Sequence, residues 1–298
     1  MLNETDARQL LEATQINWEA SVALKDVYMH GADEVWLDLE STAVNFEWWN
    51  FAASERGNGA EVVAITNTAM NSGVKFYDAV ENRRRLTDPT KETLRKATLT
   101  MPTTIEPGLK TFIKTLKQFR KQVRIVSGGF AETAELTQIV LGVPIDANHF
   151  AYSIGKPRRI VGVKDDNLLI HSGGKREHII FHRHNGLGTR RLVMIGDGMS
   201  DVETYPNAAS LFIGYGGVEK RENVRENTPL YIEDFSVAMV VCLGENNWKA
   251  VLDGSDVMAK QMYADGALKI INKQGVQFAN DLDWQDLSAR LLKIVKGT

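Results

Sequence analysis

The 298-residue chain has a single cysteine, Cys242, set inside the apolar run 238–243. One cysteine cannot close an internal disulfide, which fits a reducing compartment. Its expected role is that of a small buried hydrophobe rather than a reactive thiol. An excess of one charge is also lacking, since 35 Lys and Arg against 38 Asp and Glu give a formal net charge of −3. That argues against a nucleic-acid binder, which needs a basic surface to displace counterions. No stretch approaches the ~20 apolar residues that span a bilayer, so no membrane partner is expected. Residues 1–6 carry neither a basic nor an apolar segment, and a cytoplasmic location is expected. Internal repeats and low-complexity tracts are absent as well. What is there, 43% hydrophobic and 24% charged residues, is ordinary for a globular chain with room for one large domain and a smaller one.

Short apolar runs alternate with amphipathic segments, the pattern of an α/β fold with a Rossmann-like parallel sheet. The clearest predicted strands are Glu34–Asp38, Gln122–Val126, Arg191–Ile195, Ser210–Gly214 and Leu230–Glu233. Each is nearly continuous in apolar residues, as expected where both faces of a strand are buried. Leu109, Phe112, Ile113, Leu116 and Phe119 line one face of a predicted helix that begins near Pro107 and Gly108. Residues 47–100 read as a mostly helical cap, with a helix start near Asp88-Pro89. The cap interrupts a core of residues 1–46 and 101–245. Arg159–Val163 and Leu168–His171 are expected to form a small hairpin around residues 164–167. Residues 246–298 read as a C-terminal helical extension, with Trp284, Leu287, Leu291 and Val295 on one face. It should dock on the core or on a second subunit, and a homodimer is one assembly this allows.

Ligands of open α/β sheets bind where strands end. After the first strand comes Asp38-Leu39-Glu40-Ser41-Thr42, after the second Ser127-Gly128-Gly129, and after the third Gly196-Asp197-Gly198-Met199-Ser200-Asp201. Lys175 follows Ser172-Gly173-Gly174 ahead of a helix. This set suits phosphoryl transfer through a carboxylate. An Asp nucleophile splits one displacement into two easier ones. A divalent cation, expected to be Mg²⁺, offsets the repulsion between that carboxylate and a phosphate, and Asp38, Asp197 and Asp201 are its candidate ligands. Ser127 and the amides of Gly128 and Gly129 can hold phosphate oxygens. Lys175 adds positive charge against the transferring group.

In this order, the motifs resemble those of the haloacid dehalogenase-like (HAD) superfamily and, within it, the phosphoserine phosphatase branch. Asp38 to Glu47 is similar to the first motif, Ser127-Gly128-Gly129-Phe130 to the second, Gly174-Lys175 to the third and Gly196–Asp201 to the fourth. Residues 212–217, Arg221 and 231–235 also resemble that branch, and the likeness runs from about Glu34 to Asp234. It implies a phosphomonoester hydrolase acting on O-phosphoserine or a similar small phosphorylated amino acid. In that reading Asp38, Glu40, Ser127 and Lys175 are catalytic, and Mg²⁺ is held by Asp38, the carbonyl of Glu40, Asp197 and Asp201. Glu47, Met70, Phe76, Arg83, Ser127, Gly128, Gly129 and Arg221 face the substrate. Glu47 would meet the substrate amine and Arg83 its carboxylate, as bidentate guanidinium pairing favours.

One position departs from the branch. Its phosphatases carry Asp two residues after the nucleophile, where this chain has Glu40. The extra methylene moves the carboxyl by about an ångström, a misplacement that can cost ~10²-fold in rate. Either hydrolysis slows and another acceptor competes, making the chain a phosphotransferase or a phosphatase of another metabolite, or room near Trp48 and Trp49 restores the geometry. A non-catalytic HAD-like binding protein is a third reading, against which Asp38, Lys175, Asp197 and Asp201 all count. Trp48 and Trp49 read as cap packing. His178 and His182, four apart with His184 nearby, read as a solvated helix face rather than a zinc pair.

Overall fold

The computed structural model describes residues 19–57, 59–62, 64, 65, 76–154, 159–183 and 191–296, with 76, 295 and 296 by backbone alone. Helix α1 (19–30) leads into β1 (Glu34–Leu37), all four residues of which are buried. β2 (Gln122–Phe130) and β3 (Ile145–Asn148) extend the sheet on one side. β4 (Phe150–Tyr152) and β5 (Ile160–Val163) form a separate antiparallel ribbon. β6 (Leu192–Gly196), β7 (Leu211–Tyr215), β8 (Leu230–Ile232) and β9 (Val276–Phe278) complete a seven-stranded sheet of order β3-β2-β1-β6-β7-β8-β9. All its pairings are parallel except that of β9 on β8. β1, β6 and β7 are buried throughout, so their apolar side chains have no solvent face to alternate with. Each such side chain contributes roughly 1.5–3 kcal/mol by leaving water.

Register sets where the chemistry falls. Leu37 lies beside Ile125 on one side and Ile195 on the other. The chain therefore leaves β1 at Asp38, between the segments that carry Ser127 and Asp197, and Asp38 N–H donates to Ile195 O at 2.9 Å.

Between β1 and β2 lie α2 (Trp48–Ser54), α3 (Phe76–Thr87) and α4 (Lys91–Thr100). The Thr90 hydroxyl caps α4 by accepting from Thr93 N–H at 3.1 Å, two residues past the expected Asp88-Pro89 start. α5 (Leu109–Gln118) buries Leu109, Phe112, Ile113 and Leu116, and Gly108 supplies the positive φ at its entry. α6 (Ala131–Leu141) follows β2, and α7 (Gly174–His182) and α8 (Met199–Val202) flank β6. α9 (Glu222–Glu226) precedes β8, and α10 (Phe235–Leu243), buried along its whole length, follows it. Burial pushes the Cys242 thiol on α10 up to about 12, so the residue behaves as the buried hydrophobe expected of it.

The predicted hairpin is corrected. β5 does pair, but with β4 upstream; residues 168–170 form a 3₁₀ turn instead. Asn167 diverts them, its side chain accepting from Leu169 N–H at 3.0 Å and donating to Ala147 O at 2.9 Å. Leu169 and Ile170 are apolar because they are buried, not because they lie in a strand.

Beyond residue 244, α11 (Glu245–Asp253) and α12 (Val257–Ile271) lead into β9 and α13 (Asp281–Lys296). A β-carbon on Gly266 would stand 2.1 Å from Ser236 O, so glycine is what lets α12 lie against α10. The tail is thus not purely helical, because β9 caps the sheet edge at β8. Leu287 and Leu291 of α13 are buried, and Trp284 Nε1 donates to Ile270 O at 2.8 Å. The tail docks on the core. Among the described residues no helix is long and apolar enough to cross a membrane.

Asp286 fastens α13 to α1. It accepts from Tyr28 Oη at 2.6 Å and Arg290 Nε at 3.2 Å, with Lys25 Nζ at 3.1 Å. Partial burial raises its carboxyl, but these donors outweigh burial and hold it at about 2. A depressed folded-state pKa means the contact stabilises fully above the unfolded value of ~3.9 and is lost as pH falls through about 2. With a third of the side chain exposed, solvent screening leaves on the order of 1 kcal/mol. Asp286→Asn should therefore destabilise by about that much at neutral pH and flatten the stability curve between pH 4 and 2. Urea unfolding at several pH values checks this; parallel wild-type and variant curves would refute it.

Candidate active site

Asp38, Asp197 and Asp201 meet at the carboxyl ends of β1 and β6, all buried, each offering a ligand oxygen within 4.8 Å of the others. Lys175, in the first turn of α7, lies among them, with Nζ 2.8 Å from Asp38 Oδ1 and 2.7 Å from Asp201 Oδ1. Asp38 Oδ1 also accepts from Leu39 N–H at 2.7 Å, and Asp201 Oδ2 from Gly198 N–H at 3.1 Å. Gly196 has to be glycine, because a β-carbon there would fall 2.3 Å from Asp201 Cγ. Asp197 accepts from the Thr42 hydroxyl at 3.0 Å and pairs closely with Arg221 Nη1.

The second strand's exit faces the first. Ser127 is buried, and its Oγ accepts from Gly129 N–H at 2.9 Å. A β-carbon on Gly129 would sit 3.0 Å from Glu40 Oε1 and 3.1 Å from Ser127 Oγ. The absent side chain is the room that the longer Glu40 uses. Glu40 Oε1 accepts from Trp48 N–H, at the first residue of α2, at 3.2 Å. Asn148 Nδ2 donates to Gly128 O at 3.0 Å and braces this end of β2 from β3.

The inserted helices close one side. Trp48 and Trp49 are buried, with Trp48 against Phe150 and Trp49 against Phe130 at 5.9 and 5.6 Å between ring centroids. The Arg83 guanidinium lies over the Trp49 ring at 5.5 Å. Glu47 accepts from the Ser41 hydroxyl at 2.6 Å and stands 4.0 Å from Arg221 Nη2.

Electrostatics mark the cluster as short of positive charge. Among the described residues five carboxylates (Asp38, Glu40, Glu47, Asp197, Asp201) share it with three cations (Arg83, Lys175, Arg221), a formal excess of two negative charges. Burial, then Glu47 and Asp38, hold the Glu40 carboxyl well above its usual range. Burial raises Asp197 and Asp201 too, against the pull of Arg221 and Lys175 respectively. Burial would lower Lys175, but Asp201 and Asp38 more than offset it and keep its ammonium charged. Burial lowers Arg83 to about 10, with Glu40 and Glu47 opposing. Crowded hard oxygen donors with a formal excess of negative charge suit a hard divalent cation.

The structure therefore brings together Asp38, Glu40, Ser127, Gly128, Gly129, Lys175, Asp197 and Asp201, with Glu47, Arg83 and Arg221 around them. Met70 and the side chain of Phe76 lie outside the described residues. Sequence reasoning missed Thr42 and Ser41 as supports of Asp197 and Glu47, although both sit within the first motif. It also missed Asn148, for which no sequence signal exists. Arg221, expected at the substrate, is engaged with Asp197 in this structure.

No family model matches the chain. The phosphoserine phosphatase of Rattus norvegicus is 31% identical over 217 residues, covering 72% of this chain and 93% of the rat protein. The chain belongs to the phosphoserine phosphatase family of the HAD superfamily. The Homo sapiens phosphoserine phosphatase is 30% identical over 219 residues, 72% of this chain and 94% of the human protein. A solved phospho-aspartyl intermediate analogue of phosphoserine phosphatase superposes with a TM-score of 0.59 at 26% identity, over 68% of this chain and 94% of that one. As a member of this family the chain is a phosphatase.

Proposed function

We propose that the chain hydrolyses O-phosphoserine, or a similar small phosphorylated amino acid, with Mg²⁺ through a phosphoryl group carried on Asp38. The observation that carries this reading is Lys175 held between Asp38 and Asp201, with Asp197 beside them and Ser127 on the neighbouring strand β2. In the first step an Asp38 carboxylate oxygen bonds to phosphorus as the ester oxygen leaves. Glu40, whose carboxyl burial, Glu47 and Asp38 hold well above its usual range, gives that oxygen its proton. Trp48 N–H occupies Glu40 Oε1, which leaves Oε2 for the proton. In the second step Glu40, now a carboxylate, takes a proton from water as its oxygen bonds to phosphorus and the bond to Asp38 breaks. Inorganic phosphate leaves and Asp38 is restored.

Asp38, the Glu40 carbonyl, Asp197 and Asp201 would hold Mg²⁺, which supplies charge neutralisation for the incoming phosphate. Lys175 holds Asp38 in place and offsets charge on the transferring oxygens. Ser127 Oγ and the Gly128 and Gly129 amides orient those oxygens. Glu47 complements the substrate ammonium and Arg83 its carboxylate, with residues 47–100 acting as the cap that brings both to the ligand. A charge-assisted hydrogen bond of about 1.5–3 kcal/mol makes each of these worth roughly 10–100-fold in kcat/KM.

The test is phosphate release from L-phosphoserine with Mg²⁺, beside phosphoethanolamine, which lacks the carboxylate, and phospholactate, which lacks the amine. Both analogues should fall by that factor. Equal rates for all three would sink the amino-acid assignment, and no release from any would sink the hydrolase reading. Glu40 gives a further prediction. Because Gly129 leaves room for the longer carboxyl and Trp48 N–H grips it, Glu40→Asp should be slower than wild type, by ~10-fold or more toward the ~10²-fold cost of an ångström's misplacement. A faster Glu40→Asp, or phosphate passed by the wild type to added alcohols, would favour the phosphotransferase reading instead.

A further inference from the structure

Away from the carboxylate cluster, α7 presents two imidazoles to the edge of the sheet. His178 and His182 stand four residues apart on that helix and face Asp146 of the edge strand β3. Asp146 Oδ2 is 3.4 Å from His178 Nε2 and 4.0 Å from His182 Nε2. The imidazole centroids are 4.7 Å apart, and one ligand atom from each residue lies within 4.8 Å of the other two. The rings are not a solvated face. His178 and His182 are 16% and 24% exposed, and Trp36 of β1 backs both, with centroids at 5.9 and 5.5 Å. His178 Nε2 is buried and makes no hydrogen bond among the described residues.

We propose that Asp146, His178 and His182 form a site for a borderline divalent transition metal of the zinc class, separate from the oxygen-rich cluster at Asp38. Three ligands around a tetrahedral ion, with bonds of about 2.0–2.2 Å, are separated by roughly 3.3–3.5 Å. The Asp146–His178 pair is already at that spacing, the Asp146–His182 pair has less than an ångström to close, and all three ligand atoms lie within 4.8 Å of one another. Two imidazoles and one carboxylate select zinc, nickel, cobalt or copper over Mg²⁺, which prefers oxygen. His178 Nε2, 3.4 Å from Asp146 Oδ2 and making no well-formed hydrogen bond, gains a direct bond in the metal. Arg124 donates Nη2 to Asp146 Oδ2 at 2.9 Å and lies over Trp36 at 5.2 Å. It orients the carboxylate as an outer-shell partner does, while its positive charge weakens the site. A bound ion ties α7, whose first turn carries Lys175, to the β3 edge.

The probes are Zn²⁺ by calorimetry and Ni²⁺ by quenching of tryptophan fluorescence, in millimolar Mg²⁺ so that the Asp38 cluster is occupied. Wild type should take up one ion per chain, with quenching that Trp36→Phe removes while calorimetric binding persists. His182→Ala and His178→Ala should each weaken binding by at least the ~100-fold that losing an outer-shell partner alone can cost. Asp201→Asn should leave it unchanged. Zn²⁺ should raise the Tm of wild type but not of His182→Ala. His182→Gln, which keeps the bulk of the side chain, repeats the test should the alanine variant fold poorly, and Co²⁺ absorption replaces quenching should Trp36→Phe do so. Binding that survives both histidine substitutions, that is lost with Asp201→Asn, or that is absent in wild type overturns the proposal.

Discussion

Asp38→Asn is expected to abolish phosphate release from L-phosphoserine, lowering kcat by at least ~10³-fold, without unfolding the protein. The substitution keeps the shape of the side chain and removes its nucleophilic charge. Its structural duties survive, because an amide oxygen can still accept from Leu39 N–H, which Asp38 Oδ1 does at 2.7 Å. Lys175 keeps its 2.7 Å contact with Asp201. The cluster also loses one negative charge from an excess of two, so the fold should not suffer. An Asp38 that merely capped the strand would behave differently, leaving rate and stability nearly unchanged in the variant. Mass spectrometry of acid-quenched enzyme provides an independent view. Wild type should carry one added phosphate during turnover and Asp38→Asn none. Retention of more than a tenth of the activity would remove Asp38 from the chemistry and with it the proposed mechanism.

The site was legible because parallel strands announce themselves. A strand buried on both faces is apolar throughout, so the polar residue at which it stops stands out: Asp38 after Leu37, Asp197 after Gly196. Motif order then supplied what spacing could not. Less was legible where apolar character and strand character part company. Residues 168–170 look like a strand by composition, but Asn167 bends them into a turn. β9 is three residues long and carries Gln277 at its centre. Nothing in it stands out until the antiparallel pairing with β8 is seen. The pairing of Arg221 with Asp197 is a contact between loops 24 residues apart, which no local pattern encodes. The same holds for His178 and His182. Helical spacing placed them together, but only the tertiary position of Trp36 shows that they face inward.

Lys175→Met should separate two roles that activity alone merges. The lysine is buried and bonded to both Asp38 and Asp201. Removing one partner from a buried ionic network costs about 3–5 kcal/mol, because the charges left behind are uncompensated. Here it turns an excess of two negative charges into three, which the carboxylates relieve in part by taking up protons. The metal-free variant should therefore melt well below wild type, by ~10 °C at roughly 2–4 °C per kcal/mol. The same excess of charge draws a divalent cation more strongly, so Mg²⁺ should raise the variant's Tm more than it raises that of wild type. Activity, in contrast, should not return with Mg²⁺. Loss of a positive group aimed at the transferring oxygens is worth on the order of 10²–10³-fold in kcat. Thermal melts across a Mg²⁺ series, set beside rates measured at saturating Mg²⁺, read both effects. A Tm that falls and is not recovered by Mg²⁺ would mean that Lys175 serves only packing. An unchanged Tm with lost activity would mean that the bridge to Asp38 and Asp201 carries no stability, and that the cluster does not carry the charge excess inferred for it.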